Sequence, residues 1–143
     1  MRKRISIKFL FLFVLCSALF LNILGCASTP IKASIAKHVS PDRVFGTIQT
    51  VTSRPANVTI VCDKGMGGPA YLLRVNGKDI AKIHSGEKID FKIDPGSHIF
   101  AVKMWEGTHV EVETVLKENE RAFYRITIPG YGIAIQKSAE IGE

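Results

Sequence analysis

Apolar and polar residues alternate with a period of two through much of the chain, and that pattern constrains the fold more than any other feature. Ile89-Asp90-Phe91-Lys92-Ile93 alternates without a fault, so Ile89, Phe91 and Ile93 share one face. N-V-T-I-V, V-E-V-E-T and Y-R-I-T-I repeat the theme, which nominates Val58, Ile60, Val110, Val112, Tyr124, Ile126 and Ile128 as inward residues. A helix returns to the same face every 3.6 residues, whereas a half-buried strand returns every second one. Turn signals follow at short intervals: Asn76-Gly77, Ser85-Gly86, Asp94-Pro95-Gly96, Glu106-Gly107 and Pro129-Gly130. Asn-Gly is the strongest short hairpin signal, because both residues tolerate positive φ. Strands are predicted at about 44–52, 56–62, 70–75, 79–83, 87–93, 97–105, 109–116 and 122–128, with 132–137 closing. Seven to nine short antiparallel strands at this spacing imply an all-β sandwich or small barrel. No segment offers a long amphipathic helix.

The N-terminus follows a different rule. Arg2, Lys3 and Arg4 precede an apolar run from Phe9 to Leu24, which only Ser17 and Asn22 interrupt. A basic start, an apolar stretch and a small residue before a break form the three-part pattern of a secretory signal peptide. A transmembrane helix would need about 20 apolar residues, and the flank Ala27-Ser28-Thr29-Pro30 carries no stop-transfer charge.

The run stops at Ile23-Leu24-Gly25-Cys26, which resembles the bacterial lipoprotein box. In that family the cysteine thiol receives a diacylglycerol and the peptidase cuts just before it. The resemblance implies lipidation of Cys26, with Gly25 as the small residue before the cut. Leu24 is bulkier than the residue usual at its place. Ala27 rather than aspartate follows the anchor, which by the sorting rule of enteric bacteria implies the outer membrane, facing the periplasm.

Removing the signal changes the charge balance. The whole chain has 19 Lys+Arg against 13 Asp+Glu, a formal +6. Arg2, Lys3, Arg4 and Lys8 leave with residues 1–25, so 15 basic residues then face all 13 acidic ones, a net +2. Mixed charge of that size gives no footprint for nucleic acid. Cys16 is also removed and Cys26 is the anchor, and the one thiol left, Cys62, cannot make an internal disulfide. At the end of V-T-I-V-C it reads as a small buried hydrophobe. The expected organisation is a signal peptide at 1–25, a lipidated Cys and flexible tether at 26–41, and one β-domain at 42–138. Some fifteen tether residues would place the domain roughly 20 Å from the membrane. A helix over Ile31–His38 is too short to be stable alone.

Leu73-Arg74-Val75-Asn76-Gly77-Lys78-Asp79-Ile80-Ala81-Lys82-Ile83, then Gly86, then Phe91-Lys92-Ile93-Asp94-Pro95-Gly96-Ser97-His98, resembles small bacterial lipoproteins classed as a domain of unknown function. It is also similar to the PEGA domain. Both share a strand, an N-G-K or D-G-K hairpin, a short strand, and P-G-x-H leading into a long strand, whose core residues here would be Ile99 or Phe100, and Val102. Ala122-Phe123-Tyr124-Arg125-Ile126-Thr127-Ile128 is similar to the aromatic strand of those lipoproteins. The resemblance spans roughly 41–136. It implies an immunoglobulin-like or transthyretin-like sandwich in the envelope and carries no catalytic residues.

Candidate chemistry is sparse. Asp63-Lys64-Gly65-Met66-Gly67-Gly68-Pro69 has neither the Walker nor the dinucleotide spacing, so it reads as a connection. Gly65, Met66, Gly67 and Gly68 could still let a partner approach the backbone. His84, His98 and His109 invite a zinc triad, but no short spacing fixes two of them together. A Cys62–His98 nucleophile pair lacks any residue placed to orient the base. Asp90 and Asp94 read as solvated and turn residues. Trp105 closes a strand end and becomes a recognition anchor if exposed. Residues 129–135 could leave an open edge for another chain. The function expected is a lipid-anchored, non-catalytic binding or scaffold module without a cofactor or metal, engaging an envelope protein or cell-wall glycan. The alternatives are a small metal-dependent or thiol hydrolase, or an inhibitor of an envelope enzyme that would use Asp63–Pro69 as a protruding loop.

Overall fold

A computed structural model describes residues 28–139 except 66, 69, 105, 106, 108, 130 and 131. Nine strands occur among these residues: β1 (Lys37–His38), β2 (Ala56–Cys62), β3 (Tyr71–Val75), β4 (Lys78–Ile83), β5 (Glu87–Ile93), β6 (Gly96–Lys103), β7 (His109–Leu116), β8 (Arg121–Thr127) and β9 (Ala134–Ser138). They form a five-stranded sheet in the order β1-β5-β2-β8-β9 and a four-stranded sheet in the order β4-β3-β6-β7. The fold is all-β, as the period-two pattern requires.

The two sheets share one core. Val58, Ile60, Ile89, Ile93, Tyr124 and Ile126 from the first sheet pack against Leu73, Val75, Ile83, Phe100 and Val102 from the second. Phe100 and Tyr124 meet edge to face at 4.9 Å between ring centroids. Tyr124 is fully buried and donates its hydroxyl to Thr114 Oγ1 at 2.6 Å, so its polar tip costs little. Phe91, Val110, Val112 and Ile128 are half-buried against this core. Phe100, not Ile99, is the inward residue after Pro95-Gly96; Ile99 lies on the outer face.

Three expectations need correction. First, the sheets are not uniformly antiparallel: β2 runs parallel to β8, and β1 parallel to β5. A parallel pair needs a long crossover, and the chain between β2 and β8 supplies one by building the second sheet. Second, 44–52 is not a strand. Val44 makes one bridge to Ala81, and the Phe45 and Gly46 amides both turn to the Ile80 carbonyl. A Cβ at Gly46 would sit 2.9 Å from the Asp79 carbonyl oxygen, so the chain passes closer there than a side chain allows. It then crosses to Asp94, whose carboxylate accepts from the Val51 and Thr52 amides.

Third, from Ser28 onward the expected tether is folded onto the domain. Ser28 and Thr29 bond to Ile128 and Lys64. The chain then crosses the outer face of the five-stranded sheet, where Ile31 and Ala36 bury Val61. It turns once, through bonds from Ile35 and Ala36 to the Lys32 carbonyl, and returns as β1. Hydrophobic contact and backbone pairing together outweigh the freedom that a linker of small and polar residues would otherwise keep.

Candidate functional site

The strap of residues 28–40 covers only part of that outer face, and the uncovered part is a groove of about 550 Å³. Alternation dictates what lines it. Val58 and Ile60 of β2 point inward, so Asn57, Thr59 and Val61 point outward; β5 presents Lys88, Asp90 and Lys92, and β8 presents Arg121, Phe123 and Arg125. Register sets these side chains in rows. Lys92 and Arg121 flank Asn57, Asp90 and Phe123 flank Thr59, and Lys88 and Arg125 flank Val61. The strap closes the last row, and its Ala33 and Ser34 form the groove wall.

Electrostatics divides the rows. Asp90, the one carboxylate in the lining among the described residues, accepts from Thr59 Oγ1 and lies 3.5 Å from His38 Nδ1 and 3.9 Å from Lys88 Nζ. Lys92 and Arg121 have no ion-pair partner among the described residues. With Lys88, Lys92 and Arg121 against Asp90, the groove carries a net +2. Neighbouring strands lie about 4.8 Å apart, so Lys92 and Arg121 stand roughly 10 Å apart across Asn57. Phe123 supplies a half-buried apolar face beside them. The arrangement can bind carboxylates and an apolar group together.

A buried ion pair fixes the strap that forms the groove wall. Asp63 and Arg125 are both buried and paired. Arg125 also donates to the Ile31 carbonyl at 2.9 Å, and the Ile31 amide donates to Asp63 Oδ1 at 3.4 Å. One guanidinium and one carboxylate thus satisfy both backbone groups of the strap residue that enters the apolar patch. Sequence reasoning missed this pair. Its only signal was an arginine at an outward position between the apolar Tyr124 and Ile126.

The three histidines do not converge. His98 and His109 lie five register positions apart along β6 and β7, about 17 Å. His84 follows β4, at the edge of the sheet opposite β7, about 14 Å from it. No cluster of three or more potential metal ligands occurs among the described residues. His98 has structural work instead. Its Nε2 meets the Asp94 carbonyl at 2.7 Å, and its Nδ1 meets Asn76 Nδ2 at 3.0 Å. A carbonyl only accepts, so Nε2 carries the proton and Nδ1 accepts from the amide. Cys62 is fully buried, and burial pushes its thiol up to about 12, far from a nucleophile's range.

The remaining expected site residues divide in two. Cys26, Met66 and Trp105 lie outside the described residues. Gly65, Gly67 and Gly68 are exposed in the β2–β3 connection, with positive φ at Gly65 and Gly68, and the Gly67 carbonyl accepts from the Tyr71 hydroxyl. They do not border the groove. Asp90 is exposed and Asp94 stands in the β5–β6 connection, as expected, and both also make the contacts given above. β9 is an edge of its sheet. No helix among the described residues is long and apolar enough to cross a membrane. Neither a protein-family model nor a curated protein matches the sequence.

Proposed function

We propose that this is a lipid-anchored protein of the bacterial envelope whose sandwich is a non-catalytic binding module. The observation that carries the reading is the groove row Lys92–Asn57–Arg121, whose two cations have no ion-pair partner among the described residues, while Asp90 in the lining is already engaged. The occupant it fits is an acidic segment of another envelope protein, with carboxylates at the two cations and an apolar side chain on Phe123. Charge complementarity of this kind governs encounter rate and register more than raw affinity.

The likeness to PEGA-type and uncharacterised lipoproteins, with an immunoglobulin-like or transthyretin-like sandwich, supports the same reading. The lipoprotein box supports anchoring at Cys26, and Ala27 supports the outer membrane, facing the periplasm. The test is a titration of isotope-labelled protein with a polyglutamate peptide, followed by NMR. The expected result is shifts confined to residues around Asn57, Lys92, Arg121 and Phe123, lost in Lys92→Glu/Arg121→Glu and weakened by salt. Shifts elsewhere, or shifts unchanged in the double variant, sink the proposal. A response to muropeptides but not to polyglutamate reassigns the groove to cell-wall glycan.

A further inference from the structure

We infer that the domain seats end-on against the lipid surface, with the Ser28 end of the sandwich as the bilayer-facing surface. This rests on the reading that Cys26 carries the lipid. Four hydrogen bonds pin the chain immediately after that anchor. The Ser28 amide donates to the Ile128 carbonyl at 3.2 Å, and the Ile128 amide donates to Ser28 Oγ at 2.9 Å. The Thr29 amide donates to the Lys64 carbonyl at 2.7 Å, and the Lys64 amide returns a bond to the Thr29 carbonyl at 2.9 Å. The buried Asp63–Arg125 pair then holds Ile31. Only Ala27 separates Cys26 from Ser28 in the sequence, and two residues of fully extended chain span at most about 7 Å. A domain so tightly leashed cannot stand off from the bilayer, and it cannot present its opposite end to it.

Register shows what shares the Ser28 end. Cys62 pairs with Ile126, Tyr71 with Ile83, and Leu72 with Lys103, so the segments leaving these positions gather there. Lys64, His84, Ser85, Lys103 and Gly107 belong to this end. The Asn76-Gly77 turn, Ser97 and Asn119 belong to the other, about 25 Å away along β6. Lys64 and Lys103 are exposed and have no ion-pair partner among the described residues, which suits an anionic headgroup layer. Glu106, in the same connection as Lys103, lies outside the described residues. In this orientation the basic groove runs up the side of the domain, open to the periplasm.

The test uses the full chain, processed in cells, purified with its lipid and reconstituted into phosphatidylglycerol-containing vesicles doped with a headgroup spin label. Intact mass first reports whether Cys26 is acylated; an unmodified Cys26 overturns the anchor reading, and the inference with it. With acylation confirmed, NMR relaxation enhancement at the Lys64, Ser85 and Gly107 amides should exceed that at Gly77, Ser97 and Asn119 on the order of tenfold or more, given that length difference. Equal enhancement at both ends of an acylated protein overturns end-on seating and leaves the anchor standing. Lys64→Glu/Lys103→Glu should lower the contrast in these vesicles and leave it unchanged in zwitterionic ones. A contrast indifferent to the substitution in both removes the two lysines from the lipid contact.

Discussion

Replacing Arg125 with Met should be among the most damaging single changes in the domain, and the structure sets the size of the loss. The Arg125 side chain is 10% exposed and that of Asp63 is 3% exposed. Removing the guanidinium strands the carboxylate away from water and frees the Ile31 carbonyl it also serves. Breaking one half of a buried pair costs about 3–5 kcal/mol, out of a total of only about 5–15 kcal/mol. With about 2.1 cal/mol/K of unfolding entropy per residue, a domain of about 110 residues should lose roughly 13–22 °C in Tm. Far-UV circular dichroism melts would measure it. The double variant Asp63→Asn/Arg125→Met should recover much of the loss, because no unpaired charge remains. Amides of residues 31–36 should exchange faster in the single variant even well below Tm, as the strap lifts from Val61. If Arg125→Met costs under about 1 kcal/mol, the pair is exposed or dispensable, and the docked strap would need another explanation.

Three further outcomes follow from the same contacts. Arg43 holds Glu87 below its ordinary value of 4.5, so that pair contributes stability fully present above 4.5 and lost as pH falls through the lower folded value; Arg43→Gln should flatten the fall of Tm in that acid window, measured by melts at successive pH values. Cys62, raised to about 12 by burial, should resist iodoacetamide in the native protein at mildly alkaline pH and react promptly in denaturant, as mass spectrometry would read. Asn76→Ala should cost about 1–2 kcal/mol in chemical denaturation, since Asn76 sits at φ 49° and its side chain bonds both the Ile99 amide and His98.

The fold class was legible because a strand records its burial at every second residue. Val58, Ile60, Ile89, Ile93, Tyr124 and Ile126 all lie inward where alternation put them. Asn76-Gly77 was equally plain, because few dipeptides tolerate its turn. Strand direction was not legible: β2 pairs with β8 in parallel through residues far apart in sequence, and no local pattern encodes that. The strap escaped because Ile31, Ala36 and Val39 are scattered among small and polar residues, and their burial depends on a sheet face that forms elsewhere. The groove escaped for a related reason. Lys92, Asn57 and Arg121 are ordinary outward residues on three strands, and only the register of β2 with both neighbours sets them in one row.

The proposed anchoring of the domain through Cys26 is open to a direct test. The most direct measurement is the mass of the N-terminal peptide of the protein extracted from the membrane fraction. The predicted result is a chain beginning at Cys26 and carrying a thioether-linked diacylglycerol. A chain that retains residues upstream of Cys26, or that begins elsewhere with the Cys26 thiol unmodified, would contradict it.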